Sequence, residues 1–315
     1  MTVSSKLALP PAIQIQARCA RAQSDAPQIR RGFVDVPEGQ VHYRTAGIGT
    51  SGRAPLVMLH ASPGSAKMLE PLIRALSNER QVIATDTLGN GDSSAPDCAL
   101  EEVPPIAYFA EAHLRAIDAL GIDRFDLYGS HTGANIACEI AIAHPNRVRR
   151  LVLDGVSLYS EEERADMLQN YAPGVPIDLM GSQLGWVWHF VRDVYLYWPW
   201  YKRDTAHRRD LGLPSADELH DKVVEVLKAA RTYPIAYRAA IGYDKAPRLP
   251  LVKVPTLLAC ARSDMFMAYF ERVRALMPDA LGLITPGTGS ADALALTAAQ
   301  FAAFLDETNL PRDTQ

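Results

Sequence analysis

The sequence is short of several things. It has four cysteines in 315 residues, Cys19, Cys98, Cys138 and Cys260, and none has CxxC spacing. That argues against a thiolate zinc module and gives no disulfide framework, so the thiols read as free. No uninterrupted apolar run approaches the roughly 18 residues of a membrane-crossing helix. Charge of neither sign dominates: 32 Lys and Arg stand against 36 Asp and Glu, a net charge of −4 at pH 7. Without a basic stripe or an acidic tail, nucleic acid is not an expected partner. There are no internal repeats, and no histidine follows His220.

What is present suits a large buried core. Hydrophobic residues make up 48% and charged residues 22% of the chain, enough for one large domain or a core with an inserted lobe. The first 24 residues lack acidic side chains, but their apolar part, Leu7 to Ile15, is broken by Pro10 and Pro11. That is a poor signal-peptide core. Residues 1–30 read as an extension, and the expected location is the cytoplasm.

The chain then alternates. Residues 32–46 flank Glu38-Gly39 with alternating character, as a β-hairpin does. Residues 56–60 (LVMLH) are continuously apolar, as in a strand covered on both faces. Helix over 66–77, strand over 82–86, helix over 106–120, strand over 125–129, helix to 143 and strand over 148–154 follow. Residues 157–245 contain no clear buried strand and read as helices broken at Pro173, Pro176, Pro199, Pro214 and Pro234. Alternation resumes with strands at 255–260 and 280–285 and helices at 266–277 and 293–305. The pattern predicts an α/β fold, a doubly wound and mostly parallel sheet, with a core over 31–156 and 246–315 and a helical lid over 157–245.

Three turns carry the chemistry. His60-Ala61-Ser62-Pro63-Gly64 closes the first core strand. Asp86-Thr87-Leu88-Gly89-Asn90-Gly91-Asp92-Ser93 closes the next. Gly129-Ser130-His131-Thr132-Gly133 joins a strand directly to a helix. In that order they resemble the HGxPG turn, the DxxGxGxS turn and the nucleophile elbow of the α/β-hydrolase fold, with histidine at the elbow's centre. The resemblance covers about residues 32–307. It implies a backbone oxyanion hole from the amides of Ser62 and Thr132. It also puts Asp264, in Ala261-Arg262-Ser263-Asp264 after the penultimate strand, at the acid position, with Asp154 as second candidate.

The departure from the family is double. Serine has become His131, and the late turn Pro286 to Asp292, where the family keeps its catalytic histidine, has none. The two changes compensate if the longer imidazole of His131 reaches Asp264 directly. A dyad of that kind has the chemistry of a general base, or of a nucleophile through an acyl-imidazole. Three other readings stand beside it: a catalytically inactive ligand-binding protein, a lyase-type base on the same fold, and a serine hydrolase with the elbow slipped to Ser130. His60 reads as a brace for the oxyanion loop, and His189 as a substitute base reaching down from the lid.

All four tryptophans lie in the lid, in GWVWHFVRDVYLYWPWY. Trp186, Trp188, His189, Trp198 and Trp200 are the expected substrate-binding residues, facing a small apolar or aromatic molecule. The same rings serve equally to pin the lid or to form a homodimer contact. Residues 216–231 read as an amphipathic helix with a stripe through Leu219, Val223 and Val226 or Leu227. One histidine and one carboxylate are too few for a stable zinc site, so neither metal nor organic cofactor is expected.

Overall fold

A computed structural model describes residues 27–49, 52–98, 102–175 and 177–308. The proposed N-terminal extension lies almost wholly outside the described residues, as does the turn at Pro176. The core elements run β1 (Arg30–Val36), β2 (Gly39–Ala46), β3 (Leu56–Leu59), α1 (Glu70–Leu76), β4 (Val82–Thr85), α2 (Ile106–Ala119), β5 (Phe125–Ser130), α3 (Thr132–Ala143) and β6 (Val148–Asp154). After an insertion come β7 (Thr256–Ala261), α8 (Phe270–Leu276), β8 (Leu281–Thr285) and α9 (Ala291–Leu305).

The eight strands form one sheet in the order β1-β2-β4-β3-β5-β6-β7-β8. The β1–β2 and β2–β4 pairs are antiparallel, and every pair from β4–β3 to β7–β8 is parallel. All four residues of β3 and of β4 are buried, because helices cover both faces. One face packs around Phe109, Ile117, Leu127, Ile136 and Leu153. The other packs around Met58, Ile73, Tyr128, Leu257 and Phe301. This is the α/β-hydrolase fold. It brings the carboxyl ends of β3, β5, β6 and β7 to one edge, where crevices of open parallel sheets form.

Some boundaries differ from the sequence reading. The helix predicted over 66–77 opens as a 3₁₀ turn, Ala66–Leu69, with Ser65 as N-cap and Pro71 in the first turn of α1. The helix predicted over 266–277 likewise opens as a 3₁₀ turn at Met267–Tyr269. The last helix starts two residues early, at Ala291, because the Ser290 hydroxyl caps it by accepting from the Ala293 amide.

The insertion holds α4 (Glu161–Asn170), α5 (Ser182–Leu196), α6 (Ala216–Lys228) and α7 (Tyr233–Gly242). Its own small core gathers Tyr171, Val187, Phe190, Trp200, Leu219, Val226 and Tyr233. A single isolated bridge, Tyr197 with Arg208, is its β-structure among the described residues. No helix there or elsewhere in the described residues is long and apolar enough to cross a membrane.

Candidate active site

β5 ends at Ser130 and α3 begins at Thr132, which leaves His131 alone on the turn. It has φ 50° and ψ −106°, a region that costs a non-glycine residue about 1–3 kcal/mol. The amide of His131 donates to the Asp154 carbonyl at 3.0 Å, and its carbonyl accepts from the Ala134 amide, also at 3.0 Å. The turn is sharp because glycines flank it. A Cβ on Gly129 would lie 2.2 Å from the Gly133 carbonyl oxygen, and one on Gly133 would lie 2.2 Å from that of Leu59. The apex is therefore His131 rather than Ser130, whose backbone is the last rung of β5, opposite Asp154.

The His131 side chain reaches the acid turn. Its Nε2 lies 2.8 Å from Oδ2 of Asp264. The other oxygen, Oδ1, accepts from the Phe266 amide at 2.7 Å, which orients the carboxylate. Across the imidazole, Phe266 stacks at a tilt with ring centroids 4.6 Å apart. Beneath it lies Gly155, with φ +68° and no room for a side chain. A Cβ there would meet His131 Cδ2 at 2.5 Å and Nε2 at 2.6 Å. The pairing of Nε2 with a carboxylate puts the ring proton on Nε2. Among the described residues no hydrogen bond is formed to Nδ1, which leaves its lone pair unengaged.

Electrostatics follow from this arrangement. Burial opposes charge on His131, but the Asp264 carboxylate outweighs it, with help from Asp154, and holds the imidazole above its ordinary value. Burial likewise works against the Asp264 anion, and the His131 charge and hydrogen bond bring its carboxyl below the usual range. Asp154 accepts from the Tyr128 hydroxyl at 2.7 Å. Burial, reinforced by the Asp264 charge, pushes it up to about 6.

The predicted oxyanion donors lie on the two turns that meet here. Thr132 opens α3, so its amide has no helical acceptor and sits at the positive end of the helix dipole. The Ser62 amide donates to nothing among the described residues. Below them, His60 bridges turns: Nδ1–H donates to the Ala61 carbonyl at 2.9 Å, and Nε2 accepts from the Thr87 amide at 2.9 Å. Burial lowers its pKa, so it stands as a neutral brace.

The aromatic lid residues are not gathered at the dyad. Trp198 is the one of the four tryptophans in ring contact with Phe266, at 5.4 Å. Trp186 stacks on Phe190, and Trp200 packs on both while its Nε1–H donates to the Tyr171 carbonyl, so these two hold the lid together. Trp188 and His189 are exposed. Arg209 was not singled out by sequence reasoning. It crosses from the lid to the acid turn and donates to the carbonyls of Val194 at 2.7 Å and Ser263 at 3.0 Å. Its charge is felt by both Asp264 and His131. One arginine among several basic residues of the stretch 202–209 has no sequence pattern to mark it.

Among the described residues, His42, Asp86 and Asp92 bring potential metal-ligating atoms within 4.8 Å of one another. Asp86, however, accepts from His42 and from the amides of Ala66 and Asp92, which staples the turn after β4.

Comparison with known proteins bears on the fold. Residues 54–176 match the family model described as alpha/beta hydrolase fold. A 2-hydroxy-6-oxo-2,4-heptadienoate hydrolase of Pseudomonas putida is 38% identical over 131 residues, 39% of this chain and 45% of that one. The match thus spans less than half of that relative. A putative carbamate hydrolase RutD of Rhizobium rhizogenes is 25% identical over 74% of this chain and 84% of its own. Among solved structures, Epoxide Hydrolase A from Mycobacterium thermoresistibile superposes with TM-score 0.66 at 20% identity, over 90% of this chain and 100% of that one. The enol-lactonase from Burkholderia xenovorans LB400 gives 0.65 at 18% identity, over 87% and 100%. Residues 54–176 are thus similar to the alpha/beta hydrolase fold family, and the solved structures share the fold of this chain.

Proposed function

We propose that the protein hydrolyses a small ester- or carbonyl-containing substrate without a serine nucleophile, through His131 and Asp264 with a backbone oxyanion hole. One observation carries the reading: His131 Nε2 is fixed at 2.8 Å to Asp264, while no described residue hydrogen-bonds Nδ1. A filler histidine has no need of a strained backbone, a carboxylate partner and a glycine cleared beneath its ring.

The chemistry is that of a general base. Nδ1 takes a proton from water as the water oxygen bonds to the substrate carbonyl carbon, and the C=O electron pair moves to oxygen. The Ser62 and Thr132 amides donate to that oxyanion, and Asp264 stabilises the imidazolium across Nε2–H. Collapse re-forms C=O, breaks the bond to the leaving group and returns the proton from Nδ1 to it. A single ring nitrogen thus takes the part that the resemblance to the α/β-hydrolase fold gives to a late histidine, which this chain lacks.

Support for hydrolysis comes from relatives named as hydrolases of an oxo-dienoate and of a carbamate. An oxo-dienoate is a carboxylate anion. Arg209, with no carboxylate hydrogen-bonded to it among the described residues, is a suitable counter-charge beside the dyad, and Trp198 and Phe266 suit an apolar middle.

The test is a panel of p-nitrophenyl esters with short and long acyl chains and short ones ending in carboxylate, run on wild type, His131→Ala and Asp264→Asn. Hydrolysis lost in both variants, by about 10²–10⁴ as for removal of a positioned base, supports the proposal. Full hydrolysis by His131→Ala sinks it. No hydrolysis by wild type moves the weight to proton abstraction or to ligand binding.

A further inference from the structure

Glu225, on the lid helix α6, has no part in the dyad, yet it is only 6% exposed. A buried carboxylate is costly unless its partners are well placed. Here the Ser65 hydroxyl, 1% exposed, donates to its Oε2, and Lys228 Nζ lies 3.4 Å from Oε1. Lys228 also pairs with Asp92 at 3.0 Å, on the turn after β4. The apolar stripe of α6, through Leu219 and Val226, already docks the helix in the lid core. The carboxylate adds something the stripe does not, a fixed bond from the lid to one loop of the core.

That loop is the one with the Ser62 amide. Ser65 follows Ser62 by three residues and caps the 3₁₀ turn, accepting from the Lys67 amide at 3.1 Å. Its neighbour Ala66 donates to Asp86 at 2.7 Å, and Gly64 closes the turn by donating to the Ala61 carbonyl at 3.0 Å. Ser62 to Ser65 is thus held from the core side by Asp86 and from the lid side by Glu225. His60 below feels the Glu225 charge.

We infer that Glu225 is a positioning residue: by gripping Ser65 when the lid is down, it sets the loop that presents the Ser62 amide. The inference rests on the reading of Ser62 as an oxyanion donor. With the lid raised, the Ser65 hydroxyl loses this partner, and the donor is placed only by the core. Substrate closed under the lid meets an assembled oxyanion hole, and an open enzyme has an incomplete one.

The experiment compares Glu225→Ala, Glu225→Gln, Ser65→Ala and the Ser65→Ala/Glu225→Ala double variant on one p-nitrophenyl ester, with hydrogen exchange at the Gly64 amide, which donates to the Ala61 carbonyl. Glu225→Ala and Ser65→Ala each lower kcat about tenfold, keep KM within about twofold and speed exchange in the loop, since loosening a transition-state donor leaves ground-state binding alone. Glu225→Gln keeps an acceptor oxygen and restores kcat to within about threefold. The double variant is no worse than Ser65→Ala, because that substitution already removes the bond to Glu225 together with the cap on Lys67. Wild-type kcat and exchange in both single variants, or losses that multiply in the double, overturn the inference. If Glu225→Ala does not fold, Ser65→Asn decides: it keeps a capping oxygen for the Lys67 amide but not the hydroxyl that meets Glu225, and wild-type kcat and exchange there overturn the inference. If His131→Ala keeps full activity, the hydrolase reading fails instead, and the exchange rates still decide whether Glu225 holds the loop.

Discussion

Gly155 carries more of the site than its size suggests. Its missing side chain is the space in which the His131 ring lies, with contacts of 2.5 and 2.6 Å for any Cβ and a left-handed φ of +68°. Gly155→Ala is expected to displace the imidazole from Asp264 and lower kcat by about 10²-fold, as small misplacements of a catalytic group do. The fold should survive with a loss of about 1–3 kcal/mol for the strained backbone, checked by urea unfolding beside the esterase assay. The sharp turn at His131, the turn from His60 to Gly64 and the approach of Asp264 to His131 were legible because each is a local pattern of turn residues after a strand. Gly155 and Arg209 were not. Each acts by standing next to a residue distant in the chain, and nothing in its own neighbourhood announces it.

The pH behaviour of the dyad also belongs to this scale. As a base, His131 works when neutral, and its pKa lies above the ordinary 6.5. Activity should therefore rise with pH along an acid limb centred above 6.5, read from kcat/KM profiles. Asp264→Asn removes the main raising partner and leaves the burial penalty, so any residual activity should show that limb shifted to lower pH. The stability sign is opposite. A raised histidine pKa contributes stability that is fully present below 6.5 and lost as pH rises through the folded value. The dyad is thus most stabilising where it is least active. A limb below 6.5 in the wild type would count against this assignment.

At the scale of elements, β5 needs an anchor as well as an apex. Asp126, fully buried near its start, meets Arg80 at 3.1 Å and Arg149 at 2.6 Å, and Arg80 also pairs with Asp306 beyond α9. This network ties the β5 start to the chain before β4 and to the last helix, at the edge of the sheet opposite His131. Arg80→Ala is expected to lose about 3–5 kcal/mol, because it leaves a buried carboxylate short of charge, while the KM of the folded enzyme stays unchanged. Equilibrium denaturation checks it, and a loss under about 1 kcal/mol would mean that Arg149 alone suffices. Strands and long helices were read from periodicity, since burial on both faces leaves continuous apolar runs such as LVML. The 3₁₀ openings before α1 and α8 were not, because 3₁₀ and α-helix share short-range patterns and differ mainly in the acceptor of each amide. The stripe of α6 was read from its spacing, but nothing local marks Glu225, because its partner Ser65 lies 160 residues earlier.

At the scale of the whole molecule, the lid separates two readings that the core alone leaves together. An enzyme and a ligand-binding protein with this core would both take their occupant where Trp198 meets Phe266 and Arg209 reaches the acid turn; they differ in what His131 does to it. Binding and turnover therefore have to be measured apart. A non-hydrolysable dienoate-like acid should stabilise wild type and His131→Ala alike, by about 2.7 kcal/mol at a hundredfold excess over Kd, read as a shift in thermal midpoint. Arg209→Ala should lose most of that shift, since it removes the cation that faces the carboxylate, whereas His131→Ala should lose turnover alone. If His131→Ala abolishes binding too, the imidazole is part of the pocket wall and the case for it as base weakens. If Arg209→Ala binds as wild type does, the substrate has no anionic end there, and the apolar contacts of Trp198 and Phe266 are what the lid contributes to recognition.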